Sequence, residues 1–140
     1  MSVSALLSRI RNGALVAGAV IVGTAAVAQA ATVQFTVTNQ SGGTITLDTS
    51  SCTSGYASAP FSISNGSTAT FSGTTTDSTT LCTVRYQKGN LGCQFQVQVS
   101  NFGGFASTNA YKGSGGKPVC TKSGEGNPQP GNYYGVFSMQ

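Results

Sequence analysis

The residues of this chain that could perform chemistry are few. The sequence contains no histidine, which removes the most common general base and the most common metal ligand. Beyond residue 30 it contains three carboxylates, Asp48, Asp77 and Glu125, at a strand end, in a turn and in a Gly/Pro-rich loop. A glycosidase needs two carboxylates about 5–9 Å apart, but turn and capping roles explain each of these three more simply. We therefore expect no enzymatic activity, with a small carboxylate-based hydrolase as the alternative.

Four cysteines, Cys52, Cys82, Cys93 and Cys120, provide the clearest chemical pattern. An even number of cysteines in an exported chain favours two disulfides. A zinc site would need CxxC pairs or histidines, and the sequence has neither. We therefore predict disulfides, no metal and no cofactor.

The candidate ligand contacts are aromatic residues in predicted loop connections rich in glycine, serine and asparagine. Exposed aromatic side chains stack on sugars, enter lipid interfaces or anchor a protein partner. The alternative is that they cover the open ends of a hydrophobic core. The four candidates are Tyr56, Phe102, Phe105 and Tyr111.

The first thirty residues have the pattern of a cleaved signal peptide. Arg9 and Arg11 precede an apolar run over 13–27, and Ala28-Gln29-Ala30 matches a signal peptidase site. We predict a signal peptide over 1–30 and a single secreted domain over 31–140, located outside the cell or in the periplasm. A retained membrane anchor is the alternative, and no later apolar run has spanning length.

The charge of the predicted mature chain is small. Residues 31–140 contain five Lys or Arg residues and three Asp or Glu residues, without the clustered basic residues that a nucleic-acid interface needs. Lys112, Lys117 and Lys122 recur in one predicted loop region. We interpret them as solvated loop residues, with a weak contact to an anionic surface as the alternative.

Hydrophobic alternation predicts an all-β fold. Two alternating runs from Leu81 to Val99 flank Gly89-Asn90, which predicts a hairpin with one buried face. Similar runs lie on either side of residues 39–43 and of Asn65-Gly66, and we expect a hairpin at each. About seven or eight short strands with regular turns favour a two-sheet antiparallel β-sandwich.

The central hairpin restricts the disulfide pairing. With Gly89-Asn90 at the turn, Tyr86 lies opposite Cys93 and Cys82 lies opposite Val97. Cys82 and Cys93 are then about 13 Å apart along the ladder, beyond the roughly 7 Å that a disulfide allows between Cα atoms. Each therefore pairs with Cys52 or Cys120, both in predicted loop sequence, and we favour Cys52–Cys82 with Cys93–Cys120.

An early strand ends in Val37-Thr38-Asn39-Gln40-Ser41, a small polar segment follows over 55–60, and a later run over 63–71 contains Asn65-Gly66. With Val84-Arg85-Tyr86, these segments resemble the aegerolysin-like and crystal-protein-like cytolysins. The similarity extends over residues 33–99 and rests on an early strand ending in N-x-S/T and a later I-x-x-G hairpin. It implies a β-sandwich and a non-enzymatic secreted protein that recognises membrane lipids and in some cases assists pore formation. The sequence differs from the family in having four cysteines and no tryptophan. The segments that carry the resemblance are 37–41, 55–60, 63–71 and 84–86.

These features together predict a secreted binding protein. The expected partner is a membrane lipid or glycan surface, and not a nucleic acid. Lipid recognition, with cytolysis as an extension, is the leading hypothesis. A carbohydrate-binding module and a self-assembling subunit of an extracellular fibre or coat are the alternatives, the latter because charged residues make up only 7% of the chain.

Overall fold

Ten β-strands make up the structure, a computed structural model that describes residues 30–113 and 118–140. The predicted all-β class is confirmed, with ten strands in place of seven or eight. The predicted signal peptide, apart from Ala30, lies outside the described residues, as does Lys117. The strands are β1 Thr32–Asn39, β2 Ile45–Cys52, β3 Tyr56–Ala57, β4 Ser62–Ile63, β5 Thr68–Thr74, β6 Thr80–Lys88, β7 Leu91–Ser100, β8 Gly103–Lys112, β9 Cys120–Gly126 and β10 Asn132–Met139.

The strands form two five-stranded sheets. Sheet A has the order β3-β5-β1-β10-β9, and sheet B has the order β4-β2-β6-β7-β8. Neighbouring strands are antiparallel except β1 and β10, which are parallel. The predicted two-sheet sandwich is therefore confirmed, with one parallel pair that the sequence did not indicate. Within the described residues, no helix is long and apolar enough to cross a bilayer.

Alternate residues of both sheets form one hydrophobic core. Phe35 of β1 stacks on Phe71 of β5, with ring centroids 5.2 Å apart, and lies 6.1 Å from the ring of Phe137. Phe95 of sheet B lies 5.0 Å from Phe137, so the aromatic contacts continue across the two sheets. Each fully buried aromatic or branched side chain contributes roughly 1.5–3 kcal/mol, which makes this core the main source of stability.

The β6–β7 hairpin has the predicted register. Tyr86 lies opposite Cys93, Cys82 lies opposite Val97, and Lys88 lies opposite Leu91. Gly89 is the first central residue of this two-residue turn. Its φ of 57° is the positive value that such a hairpin turn requires and that glycine adopts easily. Alternation and the turn residue together were sufficient to specify this element.

The two disulfides are Cys52–Cys82 and Cys93–Cys120, which confirms the favoured pairing. Cys52–Cys82 joins neighbouring strands within sheet B, whereas Cys93–Cys120 joins sheet B to sheet A. The prediction that Cys52 and Cys120 lie in loops is wrong, since Cys52 ends β2 and Cys120 begins β9. Two disulfides are typical of proteins in an oxidising compartment.

The two other predicted hairpins are wrong. β1 lies in sheet A and β2 in sheet B, and β5 and β4 are divided between the sheets in the same way. The buried side chain of Asn39 explains this, because its amide donates hydrogen bonds to the carbonyls of Gly43 and Ile63, each at 2.8 Å. Asn65 Oδ1 accepts from the backbone of Gly42 at 2.8 Å. The two connections therefore cross between sheets and bind each other.

Strands also form in two stretches where hydrophobic alternation is weak. β2 continues to Cys52 and β3 follows it, although Ser, Thr and Gly dominate that sequence. β8 and β9 occupy most of the region from 100 to 126, where alternation is weak. β3, β8 and β9 are edge strands, and β2 lies next to an edge of sheet B. One side of an edge strand is open to solvent, so few apolar residues are needed there.

Candidate functional site

One end of the sandwich gathers three of the four predicted ligand contacts. We call it the lower end, and it consists of the connections 53–55, 75–79, 101–102 and 127–131. Tyr56 lies on β3 in register with Thr74, Phe102 lies in the β7–β8 turn, and Phe105 lies near the start of β8. Their exposed fractions are 70%, 100% and 45%. Only Phe102 is outside a strand, so placing all four candidates in connections was wrong.

Tyr111 lies at the other end of β8, and both its ring and its hydroxyl contact other residues of sheet B. Its ring lies across Gly92, where an added Cβ would be 2.6 Å from Tyr111 Cε1. Arg85 stacks on the ring, with Cζ 4.9 Å from its centroid, and the Tyr111 hydroxyl donates to Asp48 Oδ2 at 2.8 Å. Burial and the nearby Asp48 carboxylate raise the pKa of Tyr111. These contacts join four strands on the outer face of sheet B, β2, β6, β7 and β8.

The neighbouring side chains on this face also bind one another. Arg85 Nε donates to Gln94 Oε1 at 2.7 Å. Gln96 donates to Thr83 Oγ1 at 3.1 Å and accepts from Ser107 Oγ at 3.3 Å. We call these residues, with Tyr111 and Asp48, the sheet B network. Its hydrogen-bonding groups are largely occupied by each other, which leaves few of them for a ligand.

A pocket of about 190 Å³ lies on sheet A beside the lower end. Its floor consists of three outward-facing residues that lie side by side on neighbouring strands. They are Ser72 on β5, Gln34 on β1 and Tyr134 on β10. The next row toward the lower end holds Tyr56, Thr74, Thr32 and Asn132. The sheet A pocket is lined by Thr32, Gln34, Ser72, Pro128, Asn132, Tyr133 and Tyr134.

Two glycines make room for the tyrosines of this pocket. An added Cβ at Gly126 would lie 2.8 Å from Tyr134 Cε1, and one at Gly104 would lie 2.6 Å from Tyr133 Cδ2. Tyr134 therefore rests on β9, while Tyr133 rests on β8 of the opposite sheet. Pro128 belongs to the β9–β10 connection and forms part of the rim.

The polar side chains of the sheet A pocket are available to a ligand. Thr32, Gln34, Ser72 and Asn132 form no side-chain hydrogen bond to any residue of 30–113 or 118–140, and neither does the Tyr134 hydroxyl. In the described residues, every buried side-chain nitrogen or oxygen has a hydrogen-bond partner. The unpaired polar groups of the pocket are therefore not buried and face solvent. The lining contains no charged residue. The pocket therefore offers neutral donors and acceptors beside aromatic surface.

Glu125 closes the side of the sandwich between β8 and β9. Its Oε2 accepts from the backbone N–H of Ala106 at 2.5 Å and from the Tyr133 hydroxyl at 3.3 Å, and its Oε1 forms an ion pair with Lys122. Lys122 and the Ala106 N–H lower the pKa of Glu125. Burial and the Glu125 charge raise the pKa of Tyr133. Glu125 is therefore a connection between the sheets, and not a loop residue as predicted.

Sequence reasoning did not find the sheet A pocket. Its residues come from β1, β5, β10 and the β9–β10 connection, and their meeting depends on the parallel β1–β10 pair. Phe61 and Val119, 76% and 53% exposed, were also missed and lie away from the lower end. The one available signal was Tyr133-Tyr134, where adjacent aromatic residues must point to opposite faces of a strand.

Comparisons with known proteins support the fold. No protein-family model matches this sequence, and no curated protein sequence matches it. Among solved structures, the lipid binding protein Nakanori is similar, with a TM-score of 0.56 over 79% of this chain and 71% of that chain. The two sequences are 14% identical, so the likeness concerns the fold alone. The coarse expectation of a fold shared with a lipid-binding protein is thus supported, without a sequence family.

Proposed function

We propose that this protein binds the surface of lipid membranes, without catalysis, through the aromatic side chains of the lower end. The observation that carries the proposal is Phe102, which is completely exposed at the tip of a turn. Phe105 and Tyr56 are exposed at the same end of the sandwich. Aromatic rings at a loop tip gain free energy when they move from water into the interfacial region of a bilayer. The shared fold with a lipid binding protein agrees with this proposal.

The charge of the lower end favours an electrically neutral or zwitterionic membrane. Its four connections contain Asp77 and no Lys or Arg. Lys88 and Lys112 lie instead at the opposite end, beside the β6–β7 and β8–β9 connections. An anionic lipid would therefore gain no attraction at the proposed contact surface. We expect binding to depend little on salt concentration or on anionic lipid.

Two of the three carboxylates have structural contacts, which supports a non-enzymatic role. Asp48 accepts from Tyr111, and Glu125 binds Lys122, Ala106 and Tyr133, so each has a structural task. Asp77 lies in the β5–β6 connection. Secretion is part of the proposal, because the disulfides and the predicted signal peptide agree with each other.

Co-sedimentation with phosphatidylcholine vesicles tests the proposal. The wild-type protein should pellet with the vesicles, and Phe102→Ser should bind roughly tenfold more weakly because one exposed aromatic contact is lost. Phe61→Ser is the matched control, since Phe61 is also highly exposed but lies away from the lower end. We expect this control to bind like wild type.

Three outcomes would contradict the proposal. Absence of wild-type binding across phosphatidylcholine, sphingomyelin, sterol-containing and phosphatidylserine-containing vesicles would exclude lipid recognition. Equal losses in Phe102→Ser and Phe61→Ser would exclude the lower end as the contact surface. Binding only to phosphatidylserine, with loss at high salt, would place the contact at the cationic end. Dye release from the same vesicles measures cytolysis separately from binding.

A further inference from the structure

We propose that the sheet A pocket binds one uncharged sugar ring, and that the membrane ligand of this protein is therefore a neutral glycolipid. The inference about the lipid rests on the proposed membrane binding, whereas the inference about the sugar rests on the pocket alone. The pocket and the exposed aromatic residues are separate features of the same end of the molecule. Together they would contact the sugar of a glycolipid and the bilayer interface around it.

The chemistry of the lining selects for a neutral polyhydroxylated ring. Gln34 and Asn132 supply amide groups, each with donors and an acceptor, and Thr32 and Ser72 supply hydroxyls. Tyr134 supplies aromatic surface, on which the C–H face of a sugar ring packs. A phosphate group would require arginine, lysine or a helix N-terminus, and the lining has none of them.

The size of the pocket limits the ligand to a single ring. The volume of the pocket is about 190 Å³. Pockets for drug-sized ligands start at about 300 Å³, so a lipid tail or an oligosaccharide would not fit within this one. The three strands below it place Ser72, Gln34 and Tyr134 across about 10 Å, which allows hydrogen bonds from both sides of one ring.

The position of the pocket agrees with a headgroup that projects from a membrane. Tyr56 lies on the outer face of sheet A, in the same strand row as Thr32 and Asn132 of the pocket lining, which is the row closer to the lower end. Two strand spacings, about 10 Å, separate Tyr56 from Thr32. With Phe102 in the interface, the pocket would face the layer of headgroups just above it.

The test uses the full chain and two kinds of probe. The first is soluble methyl galactoside and methyl glucoside, followed by NMR through the side-chain amides of Gln34 and Asn132. The side-chain amide of Gln98, on the outer face of sheet B, is the internal control. The second is phosphatidylcholine vesicles with and without galactosylceramide or glucosylceramide, measured by co-sedimentation.

We expect a glycoside to shift the Gln34 and Asn132 signals and to leave Gln98 unchanged. We also expect the matching glycolipid to strengthen vesicle binding roughly tenfold, the effect of one or two added hydrogen bonds. Ser72→Leu should fill the pocket and abolish both effects, while binding to plain phosphatidylcholine remains. Thr70→Leu is the matched control, because Thr70 is the neighbouring outward-facing residue of β5 outside the pocket lining. A thermal unfolding curve confirms that each variant is folded.

The outcomes separate this inference from the proposed function. If no glycoside shifts either amide and glycolipid adds nothing to vesicle binding, the sugar site is wrong and membrane binding through Phe102 stands. If a glycoside shifts both amides but no vesicle is bound, the site takes a free sugar and the membrane proposal is wrong. If Thr70→Leu abolishes the response as Ser72→Leu does, the pocket is not where the sugar binds.

Discussion

The outer faces of the two sheets share one packing arrangement, but its polar groups are paired on sheet B and open on sheet A. On each face a tyrosine ring lies over a glycine of the neighbouring strand, Tyr111 over Gly92 and Tyr134 over Gly126. The Tyr111 hydroxyl donates a hydrogen bond to Asp48, and Arg85 stacks on the Tyr111 ring. The Tyr134 hydroxyl has no partner among the residues that the structure describes. The first arrangement is complete in itself, and the second leaves its polar groups exposed.

The difference is local and does not divide the two sheets as wholes. Farther up sheet A, hydroxyl groups bind each other across strands, as in Thr38 with Thr68 at 2.9 Å and Thr121 with Ser138 at 2.5 Å. Unpaired polar side chains are concentrated in the rows that form the pocket. Polar groups that pair with each other stabilise the fold, whereas groups left open around a concave surface are free to bind a ligand.

The largest expected effect concerns the two disulfides, one within sheet B and one between the two sheets. Cys52→Ala/Cys82→Ala removes a bond within sheet B, and Cys93→Ala/Cys120→Ala removes the bond between the sheets. The bonded cysteines are 30 and 27 residues apart. Because the closed loops are similar in length, each double variant should lose about 3–4 kcal/mol of unfolding free energy, measured by urea denaturation. A much larger loss for the second pair would show that sheet packing itself depends on this bond.

The second prediction compares the two tyrosines directly. Tyr111→Ala should lower the unfolding free energy by about 2–3 kcal/mol, because it removes ring packing, the Arg85 contact and a hydrogen bond. Tyr134→Ala should cost only about 1 kcal/mol, because its ring packs on one side and its hydroxyl is unpaired. Urea denaturation measures both values. Equal losses would mean that the sheet A face is as closed as the sheet B face, which would weaken the case for a ligand there.

The sequence specified the hairpin β6–β7 and the disulfides because the relevant information is local. Alternation from Cys82 to Val99 defines two faces, and Gly89 defines the turn between them. From the register, the separation of Cys82 and Cys93 excluded their pairing. No distant part of the chain had to be known for either step.

The sequence did not specify which sheet each strand joins. The connection 40–44 looks like a hairpin turn, because polar residues and glycine allow a tight reversal in any context. Its actual path depends on Asn39, whose side chain holds the carbonyls of Gly43 and Ile63. That contact is between residues 24 apart in the chain, so only the folded structure shows it. The pocket was hidden for the same reason, since Gln34 and Tyr134 are brought together by the β1–β10 pair.

The third prediction compares two glutamines on exposed faces. Gln96→Ala should cost about 1 kcal/mol of unfolding free energy, since its side chain binds Thr83 and Ser107. Gln34→Ala should change stability by less than about 0.5 kcal/mol, because no hydrogen bond is lost. The same Gln34 variant should weaken any ligand response of the pocket. If Gln34→Ala destabilises the protein as much as Gln96→Ala does, its amide has a structural task and is not free for a ligand.

The smallest expected effect comes from Glu125, which lies between the two faces where β8 and β9 meet. Lys122 and the Ala106 N–H hold the pKa of Glu125 below its ordinary value of 4.5. The unfolded chain therefore takes up the proton first, so the contribution of Glu125 is complete above pH 4.5 and is lost as the pH falls through its lowered pKa. For such an exposed group the loss should be at most about 1 kcal/mol. Urea denaturation at a series of acidic pH values measures it.

Two variants separate the sources of this pH dependence. Glu125→Gln should remove it, and Lys122→Met should reduce it in part, because the Ala106 N–H still favours the charged carboxylate. If Lys122→Met removes the dependence completely, the bond to Ala106 contributes nothing, and Glu125 is only one half of a surface ion pair. If a dependence remains with Lys122→Met and disappears with Glu125→Gln, the carboxylate binds the open edge of β8. Glu125 would then connect the edge of sheet B to β9 of sheet A. The β9–β10 connection that follows β9 forms part of the rim of the sheet A pocket.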